Sequence, residues 1–154
     1  MAIFCGIDPG KKGAMALIHL FDDPKMPYSV RIVPFDPKEY INTLTDIGPS
    51  YEIKCCIEQV HSLPHEGVKS VFSFGQNYGW ITGILDAFGI PYQAVPPNKW
   101  KREYSLLKAD KKQSIEVCHR LFPNVSLKRT ERCKKDDDNF AEALLMAEYA
   151  RRKM

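Results

Sequence analysis

Short apolar runs dominate the first third of the chain, and apolar residues spaced by three and four dominate the rest. Residues 2–7 (Ala-Ile-Phe-Cys-Gly-Ile) are continuously apolar and predict a buried strand. Asp8-Pro9-Gly10-Lys11-Lys12-Gly13 is punctuated by Pro and two Gly, which predicts a turn. Residues 14–20 can then return as the second strand of a hairpin. After a loop over 22–27, residues 28–35 alternate as a third strand. Asp36-Pro37 offers an N-cap followed by Pro at the first helical position, so a helix is expected over 37–47, stopped by Gly48-Pro49. Residues 53–58 form a fourth strand, followed by a loop over 60–67.

From Val68 to Phe88, apolar residues stand at 68, 71, 72, 74, 78, 81, 84, 85 and 88, the spacing of a helix with one core face. Gly89 follows as its cap. Gly75, Gly79 and Gly83 fall four apart on this helix. Each costs about 1 kcal/mol against Ala, which predicts close approach of another backbone, inside the domain or at a dimer contact. Residues 91–95 read as a fifth strand, and Pro96 to Trp100 as a turn out of it. Two helices complete the chain, an amphipathic one over 110–122 ended by Pro123, and a last one over 136–152.

The order βββαβαβαα has no repeat and no linker. Three leading strands at hairpin spacing, then alternating strands and helices, imply an α/β domain. Its five-stranded mixed sheet carries helices on both faces. A length of 154 residues fits one such domain spanning 1–154. A hydrophobic fraction of 44% supports one real core. No apolar stretch approaches the ~18 residues of a membrane span, and no charged segment leads into a long apolar one near Met1. The expected location is a cytoplasm. The five cysteines are odd in number and lack the spacing of a zinc site, which fits reduced thiols.

Net charge is only +3, but its distribution is uneven. Lys99, Lys101, Arg102, Lys108, Lys111, Lys112, Arg120, Lys128, Arg129 and Arg132 crowd the segment before the acidic triplet Asp136-Asp137-Asp138. A basic tract beside a carboxylate cluster suits a protein that neutralises phosphates while holding a metal.

The carboxylates themselves sit at telling places. Asp8 follows the first strand and precedes Pro9, so it stands at an exposed strand end. Alone this is a weak signal, since the phosphate turns of actin-like ATPases look similar. Glu58 closes an apolar strand, where an unpaired buried carboxylate would be costly. Asp138 and Glu142 share one helix face at i and i+4, where like charges repel unless a cation lies between them. N-terminal capping accounts for Asp136 or Asp137 and less well for Glu142. Oxygen-only ligands suit Mg²⁺, which keeps waters for substrate phosphates. Two such ions, about 3.5–4 Å apart, can bracket a phosphodiester. Metal-dependent cleavage with 5′-phosphate and 3′-hydroxyl products is the expectation.

Gly6-Ile7-Asp8-Pro9-Gly10, Ile57-Glu58-Gln59-Val60 and Asp137-Asp138-Asn139-Phe140-Ala141-Glu142-Ala143-Leu144-Leu145 occur in the order and spacing of one family. The chain resembles the RuvC-type Holliday-junction resolvases of the RNase H-like fold. It looks most like the compact bacteriophage-type members, which share Val95-Pro96-Pro97…Trp100-Lys101. The resemblance implies a crossover junction endodeoxyribonuclease that nicks four-way junctions and other branched DNA symmetrically as a homodimer. It implies two Mg²⁺ ions per site, replaceable by Mn²⁺, with Asp8, Glu58, Asp138 and Glu142 as catalytic ligands. The acidic triplet leaves open whether Asp137 or Asp138 is the metal ligand. The family's DNA-contacting lysines map to Lys101 and Lys111, with Lys112 as an alternative to Lys111 and Lys99 in the same basic tract. His61, in the loop after Glu58, is either a DNA contact that stacks on a base or a solvated loop residue. The last helix carries Asp138-x-x-x-Glu142 where bacterial members carry Asp-x-x-Asp. Two other readings are an RNase H-like nuclease on RNA–DNA hybrids and a non-catalytic branched-DNA binding module. If the chain is phage-encoded, the cytoplasm is that of a bacterial host.

Overall fold

A computed structural model describes residues 2–60 and 65–154. Five strands form one sheet in the order β3-β2-β1-β4-β5. They are β1 (Ala2–Asp8), β2 (Ala14–Leu20), β3 (Tyr28–Pro34), β4 (Glu52–Glu58) and β5 (Tyr92–Val95). The first three pair antiparallel, as their short connections require. β4 joins β1 in parallel, and β5 joins β4 in parallel, each after a helical crossover. The mixed five-stranded sheet expected from the sequence is the sheet observed.

Among the described residues five helices cover it: α1 (Pro37–Ile47), α2 (Val68–Ala87), α3 (Pro97–Glu103), α4 (Lys111–Leu121) and α5 (Asp138–Lys153). Period-2 alternation sorts the strand residues between two cores. Ile3, Cys5 and Ile7 of β1, with Cys55 and Ile57 of β4, pack beneath Tyr40 and Leu44 of α1 and Ile81 and Leu85 of α2. Phe4 and Cys56 point the other way, into a core with α4 and α5. Adjacent Cys55 and Cys56 therefore belong to opposite layers, and all five cysteines are free thiols. α5 is the most deeply seated helix, with an unbroken buried run from Ala143 to Ala150. It can lie so low because Gly6 has no side chain. A Cβ there would collide with the Ala143 carbonyl oxygen and the Ala147 amide nitrogen.

Three details differ from the pattern read along the sequence. The segment after β5 is a helix, α3, with Pro97 in its first turn and Trp100 fully buried. Proline tolerates that position, so the Pro-Pro pair starts a helix where it reads as a turn. α5 begins at Asp138 with Asp137 as its N-cap, two residues later than expected.

The third concerns α2, which buries only Asn77, Ile81 and Leu85. Val68 is 86% exposed, Phe72 73% and Trp80 49%. Gly75, Gly79 and Gly83 meet nothing within 4 Å. The close approach they predict is absent within the described residues, because at about 100° per residue the glycines lie opposite the core face. No helix among the described residues is long and apolar enough to cross a membrane.

Candidate active site

Parity decides where the first two carboxylates point. Asp8 is in phase with Phe4 and Gly6, and Glu58 with Cys56, so both face the α5 layer. The parallel register pairs Ile7 with Ile57. One residue further, Asp8 and Glu58 close neighbouring strands whose backbones run about 4.8 Å apart. The turn after Asp8 is tight. The Asp8 carboxylate accepts from the Gly10 amide at 3.0 Å, and the Gly13 amide donates to the Gly10 carbonyl at 2.8 Å. A Cβ on Gly13 would collide with the Asp8 carbonyl oxygen, which is why the chain turns on glycine here.

α5 brings the other two. Its contact with Gly6 sets Ala143 over β1, so Glu142 and Asp138, one residue and a further turn earlier, lie toward the strand end that carries Asp8. Each carboxylate has a partner. Trp100 Nε1 donates to Glu58 Oε2 at 2.9 Å. Lys101 Nζ stands 3.5 Å from Glu142 Oε1, and Lys111 Nζ 3.1 Å from Asp138 Oδ2. Lys101 also lies over the Trp100 ring, 5.3 Å from its centroid. Two partners come from α3 and one from the start of α4, which fits the basic tract to the acidic cluster.

Titration behaviour records the crowding. Burial raises the Glu58 pKa to about 7; the Trp100 bond opposes the rise, and the charges of Asp8 and Glu142 add to it. Burial likewise raises Asp8, against the pull of the Gly10 amide and with a further push from Asp138. Glu142 is raised by burial and by Asp8, with Lys101 opposing. Lys111 is raised chiefly by its bond to Asp138. Asp8, Glu58 and Glu142, raised by burial first and by neighbouring negative charge after it, mark a place where a cation is favoured.

Asp137 has a different occupation. It accepts from the Asn139 amide at 2.9 Å and the Phe140 amide at 3.2 Å, and from Arg129 Nε at 2.8 Å. Burial alone would raise its pKa, but Arg129 and the Phe140 and Asn139 amides outweigh it and hold the carboxyl below its usual range. Arg129 Nη2 also donates to the Lys12 carbonyl at 2.6 Å, tying the Asp8 turn to the start of α5. Asp136 pairs with His119 Nε2 at 2.7 Å.

All four oxygens-only candidates thus share one end of one face, although among the described residues no three His, Cys, Asp or Glu side chains already converge on a single point. The donor set still suits hard divalent cations. Asp8 and Glu58 offer a fixed pair at the strand ends. Glu142 and Asp138 are half-buried and face ammonium groups that a cation would displace. Lys99 and Lys112 are exposed on α3 and α4, beside Lys101 and Lys111. His61 lies outside the described residues. Trp100 and Arg129 have roles that the linear sequence does not suggest. Trp100 stands in a charged segment, an unusual place for a large ring, and that is its only signal.

No protein-family model matches the chain, and no curated protein matches it. Solved structures do. Thermus thermophilus RuvC in complex with a Holliday junction substrate superposes with a TM-score of 0.61 at 14% identity, covering 98% of this chain and 96% of that one. Thermus thermophilus RuvC in a second structure gives 0.57 at 18% identity, covering 97% and 96%. The fowlpox virus resolvase in complex with Holliday junction DNA gives 0.53 at 18%, covering 96% and 98%. At these identities the likeness is one of architecture, and it runs the whole length of the chain: the fold is that of the RuvC-type resolvases.

Proposed function

We propose that the chain is a metal-dependent, structure-selective endonuclease that cuts Holliday junctions and other branched DNA by paired symmetric nicks. The observation that supports this reading is that Asp8 and Glu58 end neighbouring strands on the α5 side of the sheet, while Asp138 and Glu142 stand in the first turns of α5 beside Lys111 and Lys101. The fold around them is one that two junction-bound proteins share over nearly their whole length.

Asp8, Glu58, Glu142 and Asp138 would hold two divalent cations, Mg²⁺ with Mn²⁺ as substitute. Such ions supply an activated water and stabilise the leaving 3′ oxygen, giving 5′-phosphate and 3′-hydroxyl ends. Asp8 and Glu58 fix the position of the site through the rigid sheet. Trp100 orients the Glu58 carboxylate and lowers its proton affinity, so that it can serve as a ligand near neutral pH. Lys101 and Lys111 offset negative charge while the site is empty and are then free to meet the phosphate. Lys99 and Lys112 extend this basic rim, and His61 is assigned to the junction by its place after Glu58. Asp137 keeps its structural role, and Asp138 is the ligand.

Symmetric nicking needs two active sites, and α2 offers the surface for a homodimer. Val68, Phe72, Gly75, Gly79 and Gly83 form a solvent-facing stripe where small residues admit a second backbone closely. The site of action would be a cytoplasm, a bacterial host's if the chain is phage-encoded.

The deciding experiment is cleavage of a labelled four-way junction beside linear duplex and an RNA–DNA hybrid, with Mg²⁺, Mn²⁺ or EDTA. Paired nicks in the junction alone, lost with EDTA, are expected. Cutting of the hybrid instead keeps the site but changes the substrate. Tight junction binding without cutting under any metal makes the chain a binding module.

A further inference from the structure

A cleft of about 620 Å³ lies between the β2–β3 hairpin and the loop joining α4 to α5. Its wall carries Lys25 on the hairpin side and Lys128 and Arg129 on the loop side, and no Asp or Glu. Ser29, Asn124 and Ser126 add neutral hydrogen-bonding groups. Arg129 is partly engaged by Asp137 and lies over the Phe140 ring, 4.9 Å from its centroid. Lys25 and Lys128 are exposed, and neither enters an ion pair among the described residues. Two lysines without an ion-pair partner among the described residues therefore line, from opposite sides, a cleft that has no acidic wall.

The cleft also adjoins the carboxylates. Arg129 forms one of its walls and bonds both to Asp137, the neighbour of Asp138, and to the Lys12 carbonyl in the turn after Asp8. Cations mixed with hydroxyl and amide groups, continuous with a nuclease site, are what a nucleic-acid backbone recruits, since most such contacts go to phosphate and sugar. An acidic peptide would find the same cations but would gain nothing from this continuity.

We infer that this cleft is a second DNA-contact site, which holds the phosphodiester backbone of a duplex arm as it leaves the carboxylate cluster. The inference rests on the proposed nuclease reading. The two lysines do not touch the reacting centre, so their part is to position the arm and not to cut.

The test is junction binding by the full chain in EDTA, followed by fluorescence anisotropy over a salt series. Wild type is compared with Lys25→Ala/Lys128→Ala and with Lys38→Ala, whose lysine is exposed on α1 in the opposite layer. Each phosphate contact contributes about 0.9 to the slope of log affinity against log salt. The double variant is expected to lose about 2 from that slope, and Lys38→Ala nothing. Wild type should bind more tightly as the junction arms are lengthened, and the double variant should lose that gain. Cleavage at saturating protein with Mg²⁺ should stay at the wild-type rate. An unchanged slope in a variant that still cuts overturns the inference and spares the nuclease reading. So does a slope that falls equally in Lys38→Ala. A wild type that binds no junction overturns both. Loss of poly-glutamate binding with the junction slope intact would give the cleft to an acidic protein partner instead.

Discussion

The Trp100 indole donates to the Glu58 carboxylate at 2.9 Å, across 42 residues of sequence, from a ring with no solvent exposure. This bond restrains the Glu58 pKa, which burial and neighbouring charges lift to about 7. Trp100→Phe keeps most of the packing and removes the donor. The expected cost is about 1–3 kcal/mol of stability, together with a further rise of the Glu58 pKa. Because metal binding competes with that proton, Mg²⁺ affinity at neutral pH should fall, and the acid limb of the cleavage profile should move to higher pH. A pH–rate profile that does not move would remove Trp100 from the site.

Glu58 also makes the metal-free protein pH-sensitive. A carboxyl whose folded pKa lies above its unfolded value favours folding most when protonated. Its contribution is present below about 4.5 and is lost as pH rises through about 7. Glu58→Gln should therefore match wild type near pH 4.5 and exceed it at pH 8 by up to about 3 kcal/mol, less where solvent screens the charge. Denaturant melts in EDTA at the two pH values measure this. Saturating Mg²⁺ should reverse the order at pH 8, since only wild type gains the full ligand set.

Asp137 and Asp138 should separate cleanly despite being neighbours. Asp137→Ala removes an N-cap and the partner of Arg129, at a cost of about 1–3 kcal/mol. Its cleavage at a temperature where it is folded should stay within a fewfold of wild type. Asp138→Asn should leave the melting temperature nearly unchanged and abolish cleavage. The opposite pattern would exchange their roles.

Phe72 stands 73% exposed beside the glycine stripe of α2. Phe72→Glu places a charge on the proposed dimer surface while touching no core residue. Sedimentation should show a dimer in wild type and a monomer in the variant, with little change in monomer stability. A wild-type monomer at working concentrations would remove the paired-nick geometry.

Gly6→Ala tests how the two halves of the site are joined. The added methyl meets backbone of α5, which cannot swing aside as a side chain does. Loss of several kcal/mol is expected, at or above the upper end of ordinary overpacking, and with it loss of Mg²⁺ binding. A variant that melts like wild type would mean that α5 sits elsewhere.

Much of this was readable along the chain because it depends on local spacing. The strand runs before Asp8 and Glu58 set both carboxylates at strand ends, and the four-residue interval put Asp138 and Glu142 on one helix face. Contacts between distant segments left no such trace. Pro96-Pro97 reads as a turn until Trp100 is seen buried in the core, with its indole N–H satisfied by Glu58 of β4. The Asp137–Asp138 choice turns on Arg129, which no periodicity assigns to either. The apolar residues of α2 at 68, 72 and 80 fit a core-facing helix by spacing, yet the sheet accepts only the face carrying Ile81 and Leu85.

The seating of α5 on Gly6 has a consequence for synthesis. Asp8 and Glu58 leave the ribosome before the helix that supplies Asp138 and Glu142, which follows all five strands in the chain. Until it docks, the sheet lacks its most extensive cover and the four carboxylates belong to no common site. Whatever reaction the finished cluster performs becomes possible only in a chain that has already closed its core.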